Sequence, residues 1–110
     1  MASLSGYRMM WVMVLFDLPV GTKAERKRAT GFRNFLLDQG FAMVQFSVYA
    51  RFCAGKEQAK AQTRAIERHI PKFGKISILF FTDKQYENTI SFTGRERSAG
   101  SKKPDQLLLF

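Results

Sequence analysis

The sequence predicts an α+β fold with the element order strand, helix, strand, strand, helix, strand, and three observations carry that prediction. An unbroken apolar run from Met9 to Phe16 ends on a single acid, Asp17, and is followed at once by Pro19 and Gly21. Two later stretches place apolar residues at helical spacing, each bounded by glycine or proline. The segments between and after them switch to a period of two, or to a solid apolar run, which is how strands read.

The first run is too short to span a bilayer, and the punctuation after it favours a strand entering a loop over a piece of buried helix. Side chains alternate across a strand, so Met9, Trp11, Met13, Leu15 and Asp17 share one face while Met10, Val12, Val14 and Phe16 share the other. Both faces need cover. Thr22 followed three residues later by Glu25 is a capping-box signature and starts a helix that runs to about Gln39. Ala29, Phe32, Phe35 and Leu36 form its buried stripe, Lys23, Arg26, Lys27, Arg28 and Arg33 are left to solvent, and Gly40 supplies the stop.

From Phe41 to Cys53 the period changes: Phe46, Val48, Ala50 and Phe52 alternate with Gln45, Ser47, Tyr49 and Arg51. The segment is longer than a usual strand, so two short strands are expected, reversing near Gln45-Phe46-Ser47 without a glycine. Lys56 to Ile70 reads as the second helix, with Ala59, Thr63, Ile66 and Ile70 on one face and Pro71 ending it. His69 falls in its last turn, where the helix dipole favours a cation, and that reading outweighs a metal or catalytic one for a lone His. Lys75 to Asp83 is a second mostly apolar strand, Ile76, Ile78 and Phe80 opposing Ser77, Leu79 and Phe81, expected to be buried on both faces. A further short strand is expected around Ile90-Ser91-Phe92.

This order is a split βαβ plait of the ferredoxin-like kind, both helices on one face of an antiparallel sheet. Residues 1–94 make up that domain, 95–104 read as a basic linker, and 105–110 as a docking strand. Leu107, Leu108, Leu109 and Phe110, four apolar residues behind a polar linker, need a surface to cover them.

The chain of 110 residues fits one domain, and an apolar share of 45% with 11 Phe is ample for its core. Eighteen Lys and Arg against nine Asp and Glu leave +9, which points to a polyanionic partner, nucleic acid or an acidic membrane surface. The opening MASLSGYR lacks the order of a secretory signal, so a cytoplasmic location is expected. Cys53 alone forms no internal disulfide, and without a Cys/His cluster a structural zinc is excluded; Cys53 reads as a core residue.

Two helices cover only one sheet face, yet the apolar strands offer side chains to both. A second copy is the economical cover, with interfaces of that kind burying about 2,000 Å² or more; the alternative is the chain's own C-terminal segment. In such a homodimer Asp17 could approach its symmetry mate, and two carboxylates repel unless one is protonated or a cation lies between them. Magnesium or manganese suits oxygen ligands with open positions, which would make a minimal hydrolytic site with Asp17 as metal ligand and catalytic residue. Equally, Asp17 could cap the loop at Val20-Gly21-Thr22. The cations of the first helix suit phosphates of any sequence. No aromatic doublet of the RNA-recognition type is present, so base-stacking readout has no sequence signal.

A strand ending in VLFDLP, a basic first helix closed by Gly, then VQFSVYARF, then an apolar strand ending in Thr-Asp-Lys-Gln, together resemble the CRISPR-associated protein 2 family over nearly the whole chain. The ending KPDQLLLF resembles members from type II systems. The resemblance implies a ferredoxin-like homodimer in the spacer-acquisition complex, its C-terminal strand (Leu107 to Phe110) extending the partner's sheet. It implies a scaffold that bridges large integrase subunits and holds double-stranded DNA, with phosphate contacts sought at Lys23, Arg26, Lys27, Arg28, Arg33 and Arg51. Some members are metal-dependent nucleases on RNA or duplex DNA, using the acid that matches Asp17, with Phe16 at the aromatic position beside it. Many members carry a basic residue just before the Val-Gln pair, where this chain has Met43. Contact with the large subunit is expected through the C-terminal segment DQLLLF and the exposed edge.

Overall fold

Seven residues of the first apolar run and the acid that follows it form β1 (Met10–Asp17), the strand every other element is built around. The computed structural model describes residues 10–97. Strands β2 (Ala42–Gln45), β3 (Val48–Cys53) and β4 (Lys75–Thr82) complete an antiparallel sheet of order β2-β3-β1-β4. Helices α1 (Lys23–Asp38) and α2 (Lys56–Glu67) are the crossovers. This is the ferredoxin-like plait that the sequence predicts.

Opposed residues of an antiparallel ladder share a face. Val14 lies opposite Tyr49 and Ile78, and these side chains meet Phe32 and Leu36 of α1 and Ala59 and Ile66 of α2 in the main core. Both ends of α1 follow from local chemistry. At its start the Glu25 amide donates to Thr22 Oγ1 (3.1 Å) and the Thr22 amide to Glu25 Oε1 (2.9 Å), the capping box. At its end Gly40, at φ +91°, lets the Gly40 amide donate to Leu37 O and the Phe41 amide to Leu36 O. That is a Schellman closure, with Phe41 and Leu36 buried in the same cluster.

Between β2 and β3 the chain reverses at Phe46-Ser47 without a glycine, as expected, and Ser47 takes φ +61°. Three expectations change. Helix α2 stops at Glu67, so Ile70 lies beyond it and is exposed instead of joining the buried stripe. Strand β4 is not buried on both faces: it sits at the sheet edge, and Leu79 and Phe80 remain exposed. The expected strand near Ile90 is instead β5 (Phe92–Thr93), paired with β6 (Glu96–Arg97) across Gly94-Arg95, so pairing crosses the boundary that composition suggests at residue 94.

The third helix is new. Thr82 caps α3 (Asp83–Glu87) with a second capping box, Gln85 amide to Thr82 Oγ1 and Thr82 amide to Gln85 Oε1. This short helix lies on the sheet face opposite α1 and α2. There Tyr86 stacks on Trp11 (centroids 3.9 Å apart), Phe52 meets the indole edge-on, and Trp11 Nε1 donates to Asp83 Oδ1 at 3.0 Å. Among the described residues α3 covers only the Trp11 end of that face. Leu15, toward Asp17, and Leu79, opposite Met13, stay exposed.

Candidate functional site

Asp17 is held at the exit of β1 from three directions. Beneath it Phe16 points into the helix side of the sheet and packs against Phe32 (5.3 Å, edge-on) and Tyr49 (5.6 Å). On one side the Phe16 amide donates to Ser47 O at 3.0 Å, tying the strand end to the β2–β3 turn. On the other, Asp17 pairs in register with Lys75, the first residue of β4. Gly74, just before Lys75, takes φ +102° and passes so close that a Cβ there would sit 2.7 Å from Asp17 O.

The carboxylate of Asp17 is exposed on the sheet face that α1 and α2 leave open. Of the loop amides it could cap, that of Thr22 is taken by Glu25. Asp17 lines an open groove of about 350 Å³ with Leu15, Phe46, Ser47, Lys75 and Ser77. Lys75 was absent from the residues singled out in the sequence, since it reaches Asp17 only through the β1–β4 register.

The basic residues of α1 do not form one surface. Lys23, Arg26 and Lys27 occupy the outer side of the first turns, all exposed, with Arg26 donating to Val20 O at 3.2 Å. Arg28 lies on the flank toward the end of α2, in a groove with Phe35, His69 and Pro71. Arg33 lies on the opposite flank, in a groove of about 270 Å³ with Phe16, Met43, Phe46 and Tyr49. Met43 thus lines the same groove as Arg33. Arg51 sits at the far end of α1, its side chain beside Gly40, about 24 Å of helix away from Lys23.

His69, expected in the last turn of α2, lies just beyond it because the helix stops at Glu67; its Nδ1 donates to Ala65 O (2.9 Å) and its ring stacks on Phe35 at 3.9 Å. Cys53 is fully buried in the main core; burial pushes its thiol up, against the lowering effect of nearby Arg51. Among the described residues no group of three His, Cys, Asp or Glu is placed to hold a metal ion, and no helix is long and apolar enough to cross a membrane. Leu107 to Phe110, the expected docking strand, lie outside the described residues.

Residues 10–89 match the family described as CRISPR associated protein Cas2. A protein named CRISPR-associated endoribonuclease Cas2 from Paracidovorax avenae is 60% identical over 107 residues, covering 97% of this chain and 99% of the relative. Its namesake from Flavobacterium psychrophilum is 46% identical over 107 residues (97% and 93%). A third of the same name, from Parvibaculum lavamentivorans, is 39% identical over 101 residues (92% and 100%).

Proposed function

The chain belongs to the Cas2 family of CRISPR-associated proteins, and from that premise we propose that it serves spacer acquisition as a homodimeric scaffold. In this reading it holds double-stranded DNA by its phosphates, without sequence preference, and bridges large integrase subunits in the cytoplasm. The observation that carries the reading is the outer face of α1. Lys23, Arg26 and Lys27 project into solvent there, and Glu25, the carboxylate beside them in sequence, is engaged in the capping box. Exposed cations without carboxylate partners exchange counterions for phosphates at little cost. Support for the dimer comes from Leu15 and Leu79, which a second copy on the open half of the sheet would bury. Leu107 to Phe110 then extend the partner's sheet.

Replacing Lys23, Arg26 and Lys27 together by Ala tests the scaffold. Each neutralised phosphate contributes about 0.9 to the slope of log affinity against log salt, so six lost contacts per dimer should lower that slope by about 5. Duplex affinity near physiological salt should fall at least about tenfold. Unchanged affinity and slope in a fluorescence titration would put the DNA elsewhere and end this reading.

A second reading, an endonuclease acting on RNA or DNA, is favoured by the exposed Asp17 in its groove and by the names of the relatives. A single protomer offers one carboxylate, too few to hold a metal alone, and the partner subunit's Asp17 would supply the other in the dimer. Carboxylate oxygens suit magnesium or manganese. When bound, such an ion would lower the pKa of a bound water and offset phosphate charge. The chain's own part is positional: Lys75 draws a phosphate into the groove, Asp17 orients what lies before it, and the Phe16 packing keeps both strand ends fixed. Asp17→Asn keeps the shape and removes the charge. Metal-dependent cleavage of labelled RNA should fall at least about 100-fold, the scale of losing a transition-state contact, while duplex binding holds or strengthens. Cleavage equal to wild type would leave Asp17 without a catalytic role.

A further inference from the structure

The exit of β1 carries both signs of charge on one small face. Asp17 and Lys75 are opposed in the β1–β4 register, so their side chains leave the sheet on the same side, with Cβ atoms about 4.5–5.5 Å apart. Both are exposed, and both line the open groove with Leu15 and Phe46, which are exposed as well. Each chain carries a net +9, so two copies repel overall and a contact between them has to offset that repulsion locally. Asp17 beside Lys75 supplies the means on the face that α1 and α2 leave open.

Resting on the homodimer reading, we propose that Lys75 is the cation between the two Asp17 carboxylates, each Asp17 pairing with the partner's Lys75. A two-fold axis can lay this face on a copy of itself in two ways. Running across the strands, it sets Asp17 over the partner's Asp17 and Lys75 over the partner's Lys75, like over like. Running along the strands between β1 and β4, it sets each Asp17 over the partner's Lys75. Both contacts then form together, because a two-fold interface repeats every contact. Only this second arrangement sets opposite charges against each other. The four groups alternate in sign and sum to zero, so neither carboxylate needs a proton or a metal ion in order to approach the other. Leu15 and Phe46 border the four groups, and their contact across the interface excludes water, which strengthens the pairs. Lys75 thereby takes the place that the endonuclease reading gives to magnesium or manganese.

The test is sedimentation of the full chain over a range of concentrations, in chelator and in magnesium, with far-UV circular dichroism of each variant. Asp17→Lys and Lys75→Asp each set like charges against one another and should weaken the dimer at least about 100-fold, the scale for breaking a desolvated charge pair. Asp17→Asn keeps an oxygen that accepts from the ammonium and is the milder change. Asp17→Lys combined with Lys75→Asp restores opposite signs and should return the dimer to within about tenfold of wild type. Both positions are exposed, so the native dichroism should persist throughout. The wild-type dimer should be equally tight in chelator and in magnesium. Either single charge reversal dimerising like wild type overturns the proposal, and so does a double exchange no tighter than the single ones. A wild-type dimer that forms only with magnesium also overturns it, by giving the cation's place to the metal. Those three outcomes leave the homodimer standing and remove Lys75 from it, whereas a wild type that sediments as a monomer at every concentration removes the homodimer and the pairing together.

Discussion

Gly74→Ala is expected to destabilise the protein by about 3 kcal/mol or more, a loss out of proportion to one methyl group. Two costs add. At φ +102° an L side chain is strained, on the scale of about 1–3 kcal/mol. The new Cβ would also lie 2.7 Å from Asp17 O, 2.7 Å from Leu18 Cδ2 and 3.1 Å from Leu18 Cα. Two of those three atoms are backbone, so relief requires moving the end of β1 or the start of β4, and such overpacking costs about 1–3 kcal/mol. The displaced atoms are the ones that set Asp17 against Lys75, so the groove should deform together with the fold. Urea unfolding measures the first effect. Gly31→Ala provides the contrast: a Cβ there meets nothing within 4 Å, it lies inside α1, and the change should stabilise by about 0.5–1 kcal/mol. Equal midpoints for Gly74→Ala and wild type would mean that this close approach relaxes freely and does not position Asp17.

Local chemistry made most of the plait legible. Thr22 and Glu25 state the start of α1, Gly40 its stop, and the over-long strand pattern from Phe41 to Cys53 forces the reversal that the structure places at Phe46-Ser47. Helix α3 was written in the same language and was missed. Thr82 followed by Gln85 is a capping box as plain as the first, masked because it follows an apolar run without a glycine or proline between. What local chemistry does not carry is the position of a strand within the sheet. Strand β4 resembles β1 in composition, yet one is central and the other lies at an edge, and only the pairing distinguishes them. The same holds for the site. Asp17 stands out as the lone acid closing an apolar run, whereas Lys75 becomes its neighbour only through the β1–β4 register, which no single stretch encodes. The basic residues were legible as a set but not as surfaces: Lys23 and Arg51 read alike in the sequence and lie at opposite ends of α1.

Trp11→Ala should carry the largest stability cost, about 3–5 kcal/mol, the range for deleting a buried aromatic side chain. The indole is fully buried on the sheet face opposite α1 and α2, stacked on Tyr86 at 3.9 Å and bonded to Asp83 at 3.0 Å. Both partners belong to α3, a helix of five residues that is too short to persist without its packing. Its loss should therefore be cooperative with the loss of the indole, and amide exchange at residues 83–87 should speed up well before the rest of the sheet opens. Trp11→Phe separates the contributions. It keeps an aromatic face for Tyr86 but loses the indole donor to Asp83, and should cost about 1–3 kcal/mol, with α3 still docked. The consequence reaches the proposed dimer. Because α3 occupies the Trp11 end of the open face, the proposed second copy would sit on the half around Leu15 and Asp17. Trp11→Ala with the wild-type urea midpoint and unchanged exchange at residues 83–87 would mean that α3 does not depend on Trp11. The reason for confining the second copy to the Asp17 half would then be gone.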